Sequence, residues 1–156
     1  MKKYLLVLLL SSFLLSCDES RVFEDHIDQQ GAFWLADSTA KFTVGIDNAD
    51  EEYNILFNIR NGLRFPHSNI YVRYMITDST GTELASELRN FELFHSKTGY
   101  PLGDGTGDIY ESQFTLLKNY SFANPAEYNI SIQQYMRYDS LPEVYSVGLR
   151  VERSSE

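Results

Sequence analysis

Apolar and polar residues alternate with a period of two along most of the chain after residue 40. Such alternation predicts half-buried β-strands, because successive side chains of a strand point to opposite faces of the sheet. Seven segments show this pattern or a mixed form of it, and an eighth, shorter segment spans residues 22–27. The seven are residues 42–46, 53–59, 70–76, 84–94, 110–116, 128–132 and 145–151.

Turn-forming residues separate these segments, among them Asn61-Gly62, Asp78-Ser79-Thr80-Gly81 and Asn124-Pro125. No window keeps a helical stripe over three turns. The best helix candidate is 82–94, and Asn90 with its β-prone neighbours weakens it. We therefore predict an all-β fold, a single antiparallel β-sandwich of seven to eight strands. The pattern leaves open whether its topology is jelly-roll or immunoglobulin-like.

The N-terminus carries a pattern of a different kind. Lys2 and Lys3 precede an apolar run over residues 4–15, and Ser16 and the only cysteine, Cys17, follow it. The string Leu-Leu-Ser-Cys that ends at Cys17 resembles a bacterial lipobox, in which the cysteine thiol receives diacylglycerol after the signal peptide is removed. A plain signal peptide with a chance cysteine, or a buried cysteine, is the alternative. The run is too short for a membrane span, which needs about 20 apolar residues.

These features divide the chain into three parts. Residues 1–16 are predicted to be a lipoprotein signal peptide, 17–28 the lipidated N-terminus and a tether, and 29–156 the sandwich domain. Acyl chains on Cys17, palmitate among them, would hold the protein stably, since two or more chains give firm anchoring. We expect a lipid-anchored position in the cell envelope, with the outer membrane favoured over the inner. Asp18-Glu19 is either a sorting signal or simple solvated charge.

The amino-acid composition limits the kinds of partner that the protein can bind. The chain of 156 residues has a net charge of −9 and is rich in Tyr and Phe. A surface of this sign argues against nucleic acid and anionic lipid as partners. The length fits one domain with a sizeable core.

The sequence offers little for catalysis. None of the three histidines lies at ligand spacing from another, and no hydrolase, zinc-protease or P-loop motif is present, so we predict no catalytic residues and no enzyme activity. The loop from Gly103 to Gly107 carries Asp104 and is followed by Asp108. Calcium binding and a tight strand connection are both open for this loop. The connection is favoured, because two carboxylates are few for Ca²⁺, and we predict no metal and no cofactor.

Aromatic residues suggest two further readings. Phe33, Trp34, Phe65, Tyr71, Tyr74 and Tyr100 could form platforms for sugar rings, but the core is the favoured location for this set. Arg137, Tyr138 and Asp139 follow the strand at 128–132 and are candidate interaction residues. Alternatively, Arg137 pairs with Asp139 or with carbonyl groups at the end of that strand.

Several segments together carry a family resemblance. They are Trp34 followed by Phe42, Asp47 followed by Tyr53-Asn54-Ile55, Arg60-Asn61, Phe65-Pro66-His67-Ser68-Asn69-Ile70, the glycine loop through Tyr110, Tyr128-Asn129-Ile130, Gln134-Tyr135-Met136-Arg137, Asp139-Ser140-Leu141 and Val147-Gly148-Leu149-Arg150-Val151-Glu152. The chain resembles the gliding motility lipoprotein GldH family of the Bacteroidetes over nearly its whole length after Cys17.

The resemblance implies a cell-envelope lipoprotein that gliding species need for movement over surfaces. We expect a non-enzymatic structural or accessory component of the gliding machinery. Its partners would be the membrane, through the acyl chains on Cys17, and envelope proteins of that machinery. The alternative is a lipid-anchored β-sandwich module that binds a glycan or a peptide.

Overall fold

The computed structural model describes residues 19–155, which form eleven β-strands and one short 3-10 turn. The strands are β1 Arg21–Asp28, β2 Phe33–Leu35, β3 Ala40–Ile46, β4 Glu52–Gly62, β5 Asn69–Thr77, β6 Glu83–Glu92, β7 Asp104–Thr106, β8 Ile109–Ser121, β9 Ala126–Gln134, β10 Ser140–Pro142 and β11 Val144–Arg153. The 3-10 turn is Gln30–Ala32, between β1 and β2. Within residues 19–155, no helix is long and apolar enough to cross a membrane.

Two antiparallel sheets form the sandwich. One has the order β1-β11-β4-β8-β7 and the other β3-β9-β5-β6, while β2 and β10 form a separate two-stranded ribbon. The eight longer strands, counted along the chain, have the order 1-8-3-6 in one sheet and 2-7-4-5 in the other, which is the jelly-roll arrangement. The predicted antiparallel sandwich is confirmed. It has eleven strands where seven to eight were predicted, because β2, β7 and β10 are only three residues long and too short to show a period.

The core lies between the sheets and follows the alternation that the sequence shows. In β3 the buried residues are Ala40, Phe42, Val44 and Ile46, and the intervening side chains are exposed. Phe57 of β4 contacts aromatic rings from both sheets, with centroids 5.9 Å from Phe91 and 6.2 Å from Phe114. Aromatic pairs of this kind add to the free energy that area burial supplies. Packing of apolar side chains therefore holds the two sheets together.

One sequence interpretation is corrected here. The tether was predicted over 17–28, but β1 pairs with β11 from Arg21 to Asp28, so residues 21–28 belong to the sheet. The apolar residues Val22 and Phe23 explain this, since both are half-buried against the core. The segment 84–94 was predicted as a strand, although it was also the best helix candidate, and the strand is confirmed as β6, paired along its length with β5.

The sandwich has two distinct ends. At the first, which we call the near end, β1 begins beside the end of β11, and Glu52 of β4 pairs with Ser121 of β8. At the opposite, far end, β1 ends, and Gly62 of β4 pairs with Ile109 of β8. Connections 47–51, 78–82 and 122–125 lie at the near end. Connections 29–39, 63–68, 93–108 and 135–143 lie at the far end, including the ribbon and β7.

Candidate binding groove at the far end

Exposed large apolar side chains gather at the far end. Of those found among residues 19–155, only Leu84, at the start of β6, lies away from it, and Leu88 lies midway along the same strand. The others lie at the far ends of the strands or in the far-end connections, and they are Ile27, Phe33, Leu35, Leu63, Tyr71, Tyr100, Leu102, Ile109, Tyr135 and Tyr138. Scattered single residues of this kind are normal on a surface, whereas their concentration in one region indicates an interaction site.

An open groove of about 800 Å³ lies on the outer face of the four-stranded sheet at this end. Tyr71 from β5 and Leu88 from β6 form one wall, and the chain after β9 forms the other. The lining residues are Ala36, Tyr71, Leu88, Gln133, Gln134, Tyr135, Met136, Arg137 and Tyr138. Tyr71 is 40% exposed, Leu88 47%, and Tyr135 and Tyr138 are each 53% exposed. The surface of the groove is therefore predominantly apolar and open to solvent.

A buried glutamine fixes the backbone of the groove. Gln134, the last residue of β9, is 2% exposed. Its amide Nε2 donates to the carbonyl of Tyr138 at 2.9 Å, and its Oε1 accepts the backbone N–H of Met136 at 2.8 Å. The N–H of Tyr135 donates to the carbonyl of Tyr71 at 2.8 Å. Both the donor and the acceptor of this buried amide therefore have hydrogen-bond partners, and this pairing holds the loop in one backbone conformation.

Further contacts support the two sides of this loop. The ring of Tyr138 lies 4.8 Å from that of His67, which in turn makes an edge contact with the buried Phe65. Gln133 donates its Nε2 to the carbonyl of Ala36 at 2.6 Å. The loop at 135–138 is thus attached to the connection 63–68 and to the end of the ribbon. These supports hold the exposed tyrosines in place without covering them.

The structure locates the candidate interaction residues as follows. Arg137, Tyr138 and Asp139 are exposed, and the first two line the groove. Asp139 lies next to it, and its carbonyl accepts the N–H of Ala36. Within residues 19–155, no side-chain hydrogen bond or ion pair of Arg137 is found, so its suggested pairing with Asp139 or with strand-end carbonyls is not observed. Cys17, the predicted lipidation site, lies outside the described residues.

Sequence reasoning missed part of the groove. Trp34, Phe65 and Tyr74 are buried as the core interpretation predicted, but Phe33, Tyr71 and Tyr100 are exposed, so that interpretation is wrong for these three. Tyr71 lies between Ile70 and Val72, whose side chains face the interior, and this alternation was the available signal. Leu88 on β6 and the buried Gln134 carried no comparable signal.

The outer face of the five-stranded sheet differs from the groove. Its charges pair with one another: Arg150 contacts Glu24 at 3.3 Å and Glu152 at 2.9 Å, and Arg60 contacts Glu111 at 3.3 Å. Gln113 donates to Asn58 at 2.9 Å. A shallow polar depression of about 290 Å³ lies over Gly148. This face is largely self-satisfied and offers few unpaired groups to a ligand.

The glycine loop forms a tight hairpin. β7 pairs with the start of β8, and Gly107 occupies the turn with φ of 73°. Gly105 packs directly against the backbone of Ile109 and Tyr110, where a side chain would not fit. Among residues 19–155, no group of three or more His, Cys, Asp or Glu side chains could hold a metal ion. Close packing of β7 on β8 thus explains Gly105, and the positive φ of the turn explains Gly107.

Comparisons with known proteins agree with the family resemblance noted in the sequence. The family model described as GldH lipoprotein matches residues 21–151. A protein of Christiangramia forsetii named gliding motility lipoprotein GldH homolog is 30% identical over 89% of this chain and 88% of its own. A protein of Flavobacterium johnsoniae named gliding motility lipoprotein GldH is 27% identical over 94% of each chain.

Two carbohydrate-binding modules are among the solved structures to which this chain shows a low similarity. For the module CBM28, specific for non-crystalline cellulose, the TM-score is 0.43 at 9% identity, over 89% of this chain and 94% of that one. For the CBM4 structure the TM-score is 0.35 at 10% identity, over 74% of this chain and 61% of that one. These values are too low for a ligand to be inferred from either structure. The family model, by contrast, spans almost all of the described residues, and the chain belongs to the GldH lipoprotein family.

Proposed function

We propose that this protein is a non-enzymatic lipoprotein of the cell envelope and a structural or accessory component of the gliding motility machinery. Acyl chains on Cys17 attach it to the membrane, preferably the outer one, and the far end of the sandwich binds a protein of that machinery. Family membership supports this proposal, as do two relatives named for gliding motility.

The observation that carries the proposal is the separation of the start of β1 from the exposed apolar surface. Arg21, the first residue of β1, lies at the near end and only four positions after Cys17. The exposed apolar residues lie at the opposite end. Strands of eight to eleven residues, such as β1 and β4, separate the two ends by roughly 25–35 Å. An anchored domain with this geometry presents its apolar end away from the membrane, where it meets other proteins.

The arrangement of ionisable groups supports a role without catalysis. Among the residues that line the groove in the described part of the chain, Arg137 is the only one carrying a charge. General acid–base catalysis most often uses His, Asp or Glu, and none of these residue types is among the described lining residues. The apolar groove instead has Tyr and Arg, the residue types most enriched where proteins bind one another.

Motility in a gliding bacterium tests the proposal. Cys17→Ser should abolish labelling by a fatty-acid analogue, prevent removal of the signal peptide and abolish colony spreading. Tyr138→Ala should reduce spreading while abundance and labelling stay normal. Leu84→Ala is the control, because Leu84 is 43% exposed and lies away from the far end. Normal spreading of the serine variant would contradict the need for the anchor. Normal spreading of Tyr138→Ala would contradict the role of the far end.

The second candidate is a lipid-anchored module that binds a glycan or a peptide outside the gliding machinery. The groove itself favours this reading, since it is open and of suitable size for a small ligand or a short segment. The same strains distinguish the two. A module with a separate role would leave spreading intact when the groove is altered.

A further inference from the structure

We propose that the groove binds an extended segment of a partner protein that carries apolar side chains and at least one carboxylate. The apolar side chains lie between Tyr71, Leu88 and Tyr138, and the carboxylate pairs with Arg137. This inference rests on the proposed function and specifies the chemistry of the partner.

The rigidity of the groove favours a folded binding site over an unstructured surface. Gln134 bonds both Met136 and Tyr138, and Tyr135 bonds Tyr71, so the loop is organised before any partner arrives. A site that is already ordered loses less conformational entropy on binding. Tyrosine adds to this effect, because it presents a large contact area with only two rotatable side-chain bonds.

The hydrogen-bonding capacity of the groove argues for a peptide and against a sugar. A sugar ring carries many hydroxyl groups, and its recognition requires several free polar groups. Here both ends of the Gln134 amide are used within the loop, and Gln133 donates to Ala36. Leu88 and Met136 are aliphatic, so among the lining residues only the tyrosines offer a flat ring surface. An apolar peptide segment matches these walls better, since its side chains require burial and little else.

Charge complementarity argues for a carboxylate on the partner. Arg137 is exposed at the groove and has no recorded partner within residues 19–155, and none of the described lining residues is acidic. The chain as a whole has a net charge of −9, and Asp139 lies next to the groove, but the only charge among its described lining residues is the positive one of Arg137. An arginine binds a carboxylate by two parallel hydrogen bonds, which fixes the orientation of the partner.

Binding of defined probes to the full-length lipoprotein in detergent micelles tests the inference. The first probe is a fluorescent eight-residue peptide in which Glu alternates with Phe and Leu. The second has Lys in place of each Glu, and the third is a β-1,4-linked glucose hexasaccharide. We expect the acidic peptide to bind about tenfold more tightly than the basic one, as measured by fluorescence anisotropy. The hexasaccharide should not compete with it.

Variants assign the binding to the groove. Arg137→Ala should weaken binding of the acidic peptide about tenfold and remove its advantage over the basic one, and Tyr138→Ala should weaken both peptides. Lys97→Ala and Leu84→Ala are controls, since Lys97 is exposed outside the groove and Leu84 is exposed away from the far end, and both variants should bind normally. Circular dichroism confirms that each variant is folded.

The inference is overturned if neither peptide binds, if both bind equally well, if the control variants lose binding as the groove variants do, or if only the hexasaccharide binds. The last result would identify a glycan site. Peptide binding tests this inference only, because the proposed function is tested separately by colony spreading. Suppose that Tyr138→Ala loses spreading but the native protein binds neither peptide. The far end would then still bind a partner, but not through an acidic, apolar segment.

Discussion

The two ends of the sandwich use the same residue types for opposite purposes. The near-end connections, 47–51, 78–82 and 122–125, are short, and the aromatic residues beside them are mostly buried. The far-end connections are longer and expose aromatic and aliphatic side chains. Both ends belong to one jelly roll, so the fold itself does not require this difference. It shows that the far end carries apolar surface that stability of the single chain does not need.

Each near-end turn is closed by hydrogen bonds and packing of its own. The hydroxyl of Tyr53 donates to the carbonyl of Asn48 at 2.6 Å. The hydroxyl of Tyr128 likewise donates to the carbonyl of Asn124 at 2.8 Å. Phe122 packs between these tyrosines, with ring centroids 5.7 Å from Tyr53 and 4.5 Å from Tyr128. The aromatic residues of this end therefore stabilise the turns that connect the two sheets.

Far-end tyrosines lack this function. The side chain of Tyr100 is 73% exposed, and those of Tyr135 and Tyr138 are 53% exposed. The backbone there is fixed by Gln134 and by the β7–β8 hairpin instead. Exposed rings on a fixed backbone are typical of binding surfaces, where they remain available for a partner.

The largest expected effect separates buried from exposed aromatic residues. Phe122→Ala should lower the free energy of unfolding by about 3–5 kcal/mol, because the lost ring leaves a cavity among Tyr53, Tyr120 and Tyr128. Tyr135→Ala should change it by no more than about 0.5 kcal/mol. Urea unfolding followed by fluorescence of the single, buried Trp34 measures both. Equal losses at the two positions would remove the distinction between the ends.

The next largest effect on stability concerns the close packing of the β7–β8 hairpin at the far end. Gly105→Ala should lower the free energy of unfolding by about 1–3 kcal/mol, since the added methyl would overlap the backbone of β8. Gly45→Ala is the matched control, because Gly45 lies in β3 and nothing lies within 4 Å of an added Cβ. The same urea titration compares the two variants. A neutral Gly105→Ala would show that β7 is not held by close packing.

A smaller change removes one hydroxyl from each end. Tyr53→Phe should cost about 1 kcal/mol, because the carbonyl of Asn48 loses its donor next to a buried ring. Burial also raises the pKa of Tyr53, in agreement with a hydroxyl held in its neutral, donating form. Tyr100→Phe should leave stability unchanged, since the exposed hydroxyl has water as its partner. If both variants behave alike, the tyrosine contact does not close the turn.

The smallest effect is a dependence on pH at the near end. Hydrogen bonds from the Thr80 hydroxyl, first, and then from backbone N–H groups of Thr82 and Thr80 lower the pKa of Asp78 below its usual value of 3.8. The charged form is favoured in the folded state, so the contribution of Asp78 is complete above about pH 5 and fades as pH falls through the lowered pKa. Asp78→Asn should therefore be less stable than the native chain at pH 7.

That difference should decrease steadily when urea unfolding is repeated at lower pH, toward pH 3. The native chain should approach the stability of Asp78→Asn as the carboxylate takes up its proton. A gap that stays constant from pH 7 to pH 3 would show that the turn depends on geometry and not on the charge of Asp78.

Much of the fold could be read from local pattern. The alternation in segments 42–46 and 70–76 predicts strands whose buried faces are those observed, because a sheet buried on one face imposes a period of two. In 145–151 the predicted Val147, Leu149 and Val151 are buried, but Tyr145 is only half-buried, because the register of β11 shifts between Val144 and Ser146. The segment 22–27 was recognised as a possible strand, but its weak pattern let it be assigned to the tether. It is an edge strand with only two residues packed on the core, so little apolar signal was present.

The candidate groove could be predicted only in part. Arg137 and Tyr138 stand out because they follow a clear strand and interrupt its pattern. Their neighbours in the groove come from elsewhere, since the antiparallel register places Tyr71 beside the end of β9, and Leu88 opposite Arg73 on the next strand. Contacts of this kind depend on strand order, which no local pattern records.

The sequence alone determined the class of the fold, the inward and outward faces of its longer strands and the resemblance to a lipoprotein family. These depend on side-chain periodicity and on short motifs, both of which are local. Only the tertiary structure decided that the first strand pairs with the last in a jelly roll, and that the exposed apolar residues gather at the end opposite the start of β1. The reason is that pairing between distant strands is set by how all buried faces close one common core, and that choice belongs to the whole chain.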